Sequence, residues 1–252
     1  MTGHSHPVTR AIVTGHTRGL GAALVDALRS RGIDVLGVAR SRRAPGAPAT
    51  ALPGRFEEVE LDLSDSNALA QWLAGDTLAA FLRGAERALL VNNAGTVAPI
   101  GPCAVQQPAD VGRAVALNVA APLMLASAFS GVTAGLQDRR IAHISSGAAR
   151  NPYAGWNVYC ATKAALDHHA RAAALDGEPA LRIASVAPGV VDTDMQGEIR
   201  GTDESRFPQR ERFAELKRTG QLTSPFDAAA KLVEYLLSDA FGQAPTTDIR
   251  SL

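Results

Sequence analysis

The stretch Ala11-Ile12-Val13-Thr14-Gly15-His16-Thr17-Arg18-Gly19-Leu20-Gly21 decides the fold class. Residues 11–14 form a short apolar run that stops at a glycine, as a buried strand does. From Gly19 onward Leu20, Leu24, Ala27 and Leu28 fall on one helical stripe. Glycines between a strand and a helix permit a tight turn. They also let backbone N–H groups close on a pyrophosphate at the positive end of the helix. Glycines that merely turn the chain are the plain alternative, since Gly15, Gly19 and Gly21 do not reproduce the G-x-G-x-x-G spacing.

The alternation continues outward. Further strands are expected at 35–38, 57–61, 88–91, 141–144 and 181–186. Helices are expected from Ser64, as N-cap, to Leu73, from 109 to about 130 with interruptions at Asn118 and Pro122, and over 158–175. Ser224-Pro225 reads as an N-cap with proline at N1 for a helix through Leu237. Residues 41–54, with Pro45, Pro48 and Pro53, read as loop. Residues 194–222 are polar and weakly periodic, and are expected to form a mobile substrate lid. Strand–helix alternation of this kind predicts an α/β fold, a doubly wound parallel sheet with helices on both faces. No repeat or linker interrupts it, so one domain over 1–252 is expected. Ligands in such sheets sit beyond the carboxyl ends of the strands.

Composition narrows the partners. The chain has 252 residues, with 25 Lys plus Arg against 25 Asp plus Glu. That balance gives no electrostatic footprint for nucleic acid or an anionic membrane surface. No apolar run approaches the ~18 residues of a membrane span, the longest, 119–126, containing Pro122. Residues 1–9 are expected to be disordered, and residues 1–8 show no basic-then-apolar signal pattern. Cys103 and Cys160 are too few for a disulfide scaffold, so a reducing cytosol is the expected compartment. His4 and His6 near the start, and the consecutive His168-His169, lack the i, i+4 spacing of a helical metal site, so no metal is expected.

Tyr159-Cys160-Ala161-Thr162-Lys163 carries the chemistry. At i and i+4 on a helix, a phenol and an ammonium address one ligand. The cation is expected to lower the Tyr159 pKa, as a general acid–base requires. A surface lysine beside a half-buried tyrosine would give the same letters. Against that, Lys163 is the only lysine before Lys217 in an arginine-using chain. Ser146, ending the fifth strand, can hold a substrate carbonyl beside that acid. Asn118, in an apolar helix, either satisfies a kink or holds a water relay behind Lys163. Cys160 reads as a small buried hydrophobe rather than a reactive thiol. Trp156 either walls an aryl pocket or shields the fold.

TGxxxGxG, Asn92-Asn93-Ala94-Gly95, Asn118, Ser146, YxxxK and Pro188-Gly189 with Thr193 together resemble the short-chain dehydrogenase/reductase family over residues 11–237. The resemblance implies a single-domain Rossmann fold and a tetrad of Asn118, Ser146, Tyr159 and Lys163. It implies a nicotinamide cofactor held by Gly15, Thr17, Arg18, Gly19, Leu20 and Gly21, by Arg40, Asp62 and Leu63, and by Asn92, Ala94 and Gly95. Pro188, Gly189, Val191 and Thr193 complete that set with Tyr159 and Lys163. By the family mechanism hydride passes to a carbonyl carbon while Tyr159 protonates its oxygen. Ser146, Trp156, Tyr159 and Met195 are expected at the small-molecule substrate, and dimers or tetramers are implied. Residues 92–99, 144–160 and 187–196 are similar to the benzil reductases and sepiapterin reductases of that family. The implied substrate is a ketone or benzil-like vicinal diketone, the alternative a pterin side chain. Asp248 falls near the pterin-anchoring carboxylate of the sepiapterin reductases. A sensor that binds the nucleotide without chemistry is the rival from another class, one with no need for Tyr159 and Lys163 together.

Cofactor choice follows from charge. NAD-specific enzymes end the second strand on a carboxylate that binds the ribose 2′-OH. Here the strand runs into Ala39-Arg40-Ser41-Arg42-Arg43, and Arg18 adds a cation from the glycine loop. Planar guanidinium forks suit a 2′-phosphate, so NADPH/NADP+ is expected, with Arg42 and Arg43 as solvated loop residues.

Overall fold

The computed structural model describes residues 7–43 and 52–252. His4 and His6 lie outside the described residues, as does most of the expected 41–54 loop. Among the described residues seven strands form one parallel sheet in the order β3-β2-β1-β4-β5-β6-β7. They are β1 (Thr9–Thr14), β2 (Asp34–Ala39), β3 (Phe56–Glu60), β4 (Arg87–Asn92), β5 (Asp138–Ile144), β6 (Leu181–Ala187) and β7 (Thr246–Asp248). The sheet begins at Thr9, so the expected disordered start is corrected there: Arg10 pairs with Asp34 and Ala88 in register.

Each central strand is buried on both faces, which explains the near-continuous apolar runs. In β1, Ala11 and Val13 point to one side and Ile12 to the other. The first side is covered by α1 (Gly19–Arg29) and α9 (Pro225–Leu237), through Leu24, Leu28, Leu232 and Leu236. The second carries α2 (Ser66–Leu73), α3 (Thr77–Leu82), α5 (Ala121–Val132) and α6 (Asn157–Leu175), through Leu69, Leu82, Phe129 and Ala170. Burying one such leucine or phenylalanine contributes roughly 1.5–3 kcal/mol.

Several local expectations need correction. Asp65, not Ser64, caps α2, accepting from the Asn67 and Ala68 N–H groups; Ser64 instead donates to Asp62. The long helix is not broken at Asn118. α4 (Pro108–Val115) runs through a π turn (Ala116–Ala120) into α5, where Pro122 occupies a first-turn position. The whole Pro108–Val132 helix is long and apolar enough to cross a bilayer by length and composition, which counting uninterrupted apolar letters missed. It is a layer of this fold, with Ala121, Leu125 and Phe129 buried. Residues 194–222 hold two helices, α7 (Asp194–Gly201) and α8 (Arg210–Arg218), with Ile199, Phe207 and Phe213 buried.

At the amino ends of the strands, Asp138 accepts from Arg87, Arg140 and Arg182. Arg140 is fully buried and also donates to the carbonyls of Leu236 and Ser238, closing the end of α9. Burial opposes the ionised form of Asp138, but the three guanidinium groups hold its carboxyl well below the usual range.

Candidate active site

The sheet order reverses between β1 and β4, and a cleft of about 1000 Å³ opens there beyond the carboxyl ends of the strands. Gly15 has φ +68°, and a Cβ on Gly21 would lie 2.0 Å from the Gly15 carbonyl. Neither position admits another residue. Asn93 and Thr14 pin the turn: Asn93 Nδ2 donates to the Thr14 carbonyl, while the Asn93 and Ala94 N–H groups donate to Thr14 Oγ1, each at 2.9 Å. No side chain caps α1, so its first N–H groups are left for a ligand. Glycine cradle and uncapped helix together fit a dinucleotide pyrophosphate.

Of the expected cofactor residues, Gly15, Thr17, Arg18, Gly19, Leu20, Gly21, Arg40, Leu63, Ala94 and Gly95 line this cleft, as do Pro188, Gly189, Val191 and Thr193. Asn92 does not. Its side chain is buried behind the wall, donating to the Pro122 carbonyl and facing His143 Nδ1 at 3.1 Å, and Asn93 takes its place at the cleft. Asp62 does not line the cleft either and is turned to Ser64; burial opposes its ionised form, yet the Ser64 bonds and the Arg40 charge hold its pKa down. Arg40 is exposed and lines the cleft. Arg18 reaches across the mouth to Asp194 at 2.8 Å. Arg43, expected in solvent, is instead largely buried: it donates to Asp26 and to the Ala22 carbonyl and stacks on Phe56.

Deeper in, Ser146, Tyr159 and Lys163 converge. Ser146 lies two residues past the end of β5 in extended backbone, and its Oγ caps the turn Gly147–Ala149 by accepting from the Ala148 N–H. Lys163 Nζ donates to the Ile144 carbonyl at 2.8 Å and sits 5.8 Å from the Tyr159 ring centre. Burial pushes the Lys163 ammonium down to about 8, with Asp167 opposing. Tyr159 departs from expectation. Burial raises its pKa, a hydrogen bond with Ser146 opposing, because the nearest partner of the lysine is a carbonyl rather than the phenol. A raised value keeps the phenol protonated at neutral pH, the form that donates a proton. Asn118 is buried; Oδ1 accepts from the Thr96 N–H, and Nδ2 donates to the Thr96 carbonyl and Thr162 Oγ1. Both amide hydrogens are thereby taken, and the side chain holds the wall behind Lys163.

The outer cleft is aromatic. Trp156 stacks on Phe207 at 4.5 Å and meets Tyr159 edge-on at 5.4 Å, with Tyr153 and Phe213 beside it. Trp156, Tyr153, Phe213, Met195 and Ile199 all line the cleft. Trp156 is thus buried in the fold and at the same time lines the cleft. Tyr153, Ile199, Gln209, Arg212 and Arg250 line it too and were not singled out from sequence: Ile199 and Arg212 sit on the short, largely polar helices α7 and α8, and Tyr153, Gln209 and Arg250 lie outside the α-helices, where periodicity gives no signal. Asp248 lines the cleft too, held by Arg250 at 2.7 Å. Cys160 packs half-buried behind Trp156 as a free thiol, and Cys103 is exposed and free. Among the described residues no three His, Cys, Asp or Glu side chains cluster as metal ligands.

A doubly wound parallel sheet whose switch-point cleft joins a glycine cradle to Ser146, Tyr159 and Lys163 defines a nicotinamide-nucleotide oxidoreductase. The chain belongs to the short chain dehydrogenase family, whose description matches residues 9–204. It is 33% identical to a benzil reductase ((S)-benzoin forming) of Bacillus cereus, covering 92% of this chain and 95% of that one. A sepiapterin reductase of Meriones unguiculatus is 35% identical, with 94% of each chain covered. Among solved structures, a short-chain dehydrogenase/reductase from Burkholderia vietnamiensis shares 53% identity with a TM-score of 0.70, covering 98% of this chain and 100% of that one.

Proposed function

We propose that the protein is an NADPH-dependent carbonyl reductase acting on a ketone or vicinal diketone, with aryl ketones favoured. The observation that carries this reading is the placement of the Tyr159 phenol, beside Ser146 and Lys163, at the junction of the glycine-cradled cleft and the aromatic wall of Trp156, Tyr153 and Phe213. Bound nicotinamide would supply hydride. The chain supplies the rest. Ser146 donates to the substrate oxygen, Tyr159 gives that oxygen its proton, and Lys163 holds the nicotinamide ribose and the local positive charge. Asn118 keeps the wall behind Lys163, where a proton relay to solvent would begin. Arg40, exposed at the end of β2 where no carboxylate stands, receives the 2′-phosphate, joined by Arg18 on leaving Asp194.

A pterin substrate is less well served, because Asp248, the carboxylate that could anchor it, is already bidentate with Arg250. A nucleotide sensor would not need the convergent Ser146, Tyr159 and Lys163. The same reading places the protein in the cytosol as one domain, a homodimer or homotetramer joined through the Pro108–Val132 helix and α6, without nucleic-acid or membrane partners. The test is a panel of benzil, sepiapterin and simple ketones, each assayed with NADPH and NADH. Benzil with NADPH is expected to give the highest kcat/KM; sepiapterin leading the panel would overturn the substrate assignment.

A further inference from the structure

One buried carboxylate is left without a task. Asp167 lies on α6 one turn beyond Lys163 and two beyond Tyr159, and all three side chains are buried on the same face. Asp167 Oδ1 accepts from Ser145 Oγ at 2.6 Å and from Ser185 Oγ at 2.8 Å. Its Oδ2 accepts from Arg150 Nε at 3.1 Å, and Arg150 Nη2 reaches on to the Thr247 carbonyl of β7. Three donors, one of them a guanidinium, surround a group that donates none, the pattern of an anion.

The placement matters because of what stands on either side. Ser145 immediately precedes Ser146, and Arg150 follows the short turn that begins there. The carboxylate thus grips the chain before and after Ser146 and ties both ends to the helix carrying Tyr159 and Lys163. A core residue that only closed a gap would not need a charge, and an unpaired buried charge is costly. We infer that Asp167 is a positioning residue that fixes Ser146 against Tyr159 and serves as the internal counter-charge of the Lys163 ammonium. The inference rests on the reductase reading of Tyr159 and Lys163 and assigns the residue that supports them.

Other groups facing Lys163 do not supply that charge. From β5, His143 is fully buried and pushed down to about 3 by burial, by His169 and by Lys163 itself, so it is neutral near pH 7. On α6, burial lowers His169 as well, and Tyr159 is held protonated by burial. Arg150 is cationic and partly offsets the carboxylate it pairs with. Asp167 opposes the burial that brings Lys163 down to about 8.

Two variants test this with opposite signs. Asp167→Asn keeps the shape and removes the charge. The alkaline limb of kcat should move down by roughly one to two pH units, the effect of removing a buried unit charge one helical turn away. Activity should then be about tenfold below the parent at pH 7.5 and within about threefold at pH 6. Arg150→Gln unmasks the carboxylate from a half-exposed position outside the cleft lining, and should move the same limb up by about half a unit. Asp167→Glu should restore most of the shift. Loss spread evenly over all pH values in Asp167→Asn, or an unmoved limb in Arg150→Gln, would reduce Asp167 to a packing role and overturn the inference. If Asp167→Asn does not fold, Arg150→Gln decides alone. Full activity in Tyr159→Phe would instead overturn the underlying reductase reading, whatever these limbs do.

Discussion

Replacing Lys163 by Met should separate what this residue costs from what it does. Holding a lysine at about 8 against its ordinary 10.5 costs the folded state about 3 kcal/mol at neutral pH, at 1.36 kcal/mol per unit. Methionine has a similar stem and no charge to desolvate. It leaves the Ile144 carbonyl without its donor, a loss of about 1–3 kcal/mol that does not vary with pH. The variant should therefore be equal to or more stable than the parent at pH 7. The pH dependence is sharper. Between about pH 8 and 10.5 the unfolded parent holds the lysine proton and the folded parent does not, so parent stability rises with pH there relative to a chain lacking the group. The stability difference between the two proteins should shift by about 2–3 kcal/mol in the parent's favour from pH 7 to pH 10. Urea unfolding at three pH values with equal m-values measures it. A difference that is constant with pH would refute the claim that Lys163 is buried as a strained cation. Reductase activity should be lost throughout.

Tyr159→Phe should retain cofactor binding and lose about 10²- to 10⁴-fold in kcat, measured under chemistry-limited conditions. Arg40→Asp with Arg18→Ala should weaken NADPH by about 10- to 100-fold per lost contact and improve NADH; an unchanged ratio of kcat/KM for the two cofactors refutes the 2′-phosphate assignment. Hydrogen exchange should show protection of 194–222 rising when NADPH and a slow substrate bind, and identical protection would remove the lid role. Asp138→Asn should destabilise by about 3–5 kcal/mol without altering KM, because it strands the fully buried Arg140, and thermal unfolding reads this directly.

What the sequence disclosed were the features written in backbone chemistry. Gly15 and Gly21 are forced by conformation and contact, and YxxxK by helical spacing, so both motifs could be placed before any coordinates. What it hid depended on partners distant in the chain. β7 is three residues long and exists because β6 offers it a ladder. α8 buries Phe213 against Trp156 from another segment, which local periodicity cannot register. Arg42 and Arg43 look alike as letters, yet Arg43 finds Asp26 and Phe56 and turns inward. Asn92 and Asn93 alternate across a strand end, and only the pleat tells which one faces the cleft. The raised Tyr159 pKa is a burial effect; adjacency to Lys163 argued the opposite sign.

The π turn at Ala116–Ala120 also has a meaning for change along the chain. A π turn amounts to one extra residue wound into an α-helix, and each residue turns the helix by about 100°. The wider winding of the turn takes up that extra residue, so the helix on either side keeps its facing. Removing one residue from the turn would yield a smoother, more regular helix with both flanks still in place. It would also carry Asn118 off the Thr96 main chain that it clasps through both amide atoms. Local regularity and the shape of the site pull in opposite directions here, so this helix can tolerate many changes of letter but not a change in the number of letters.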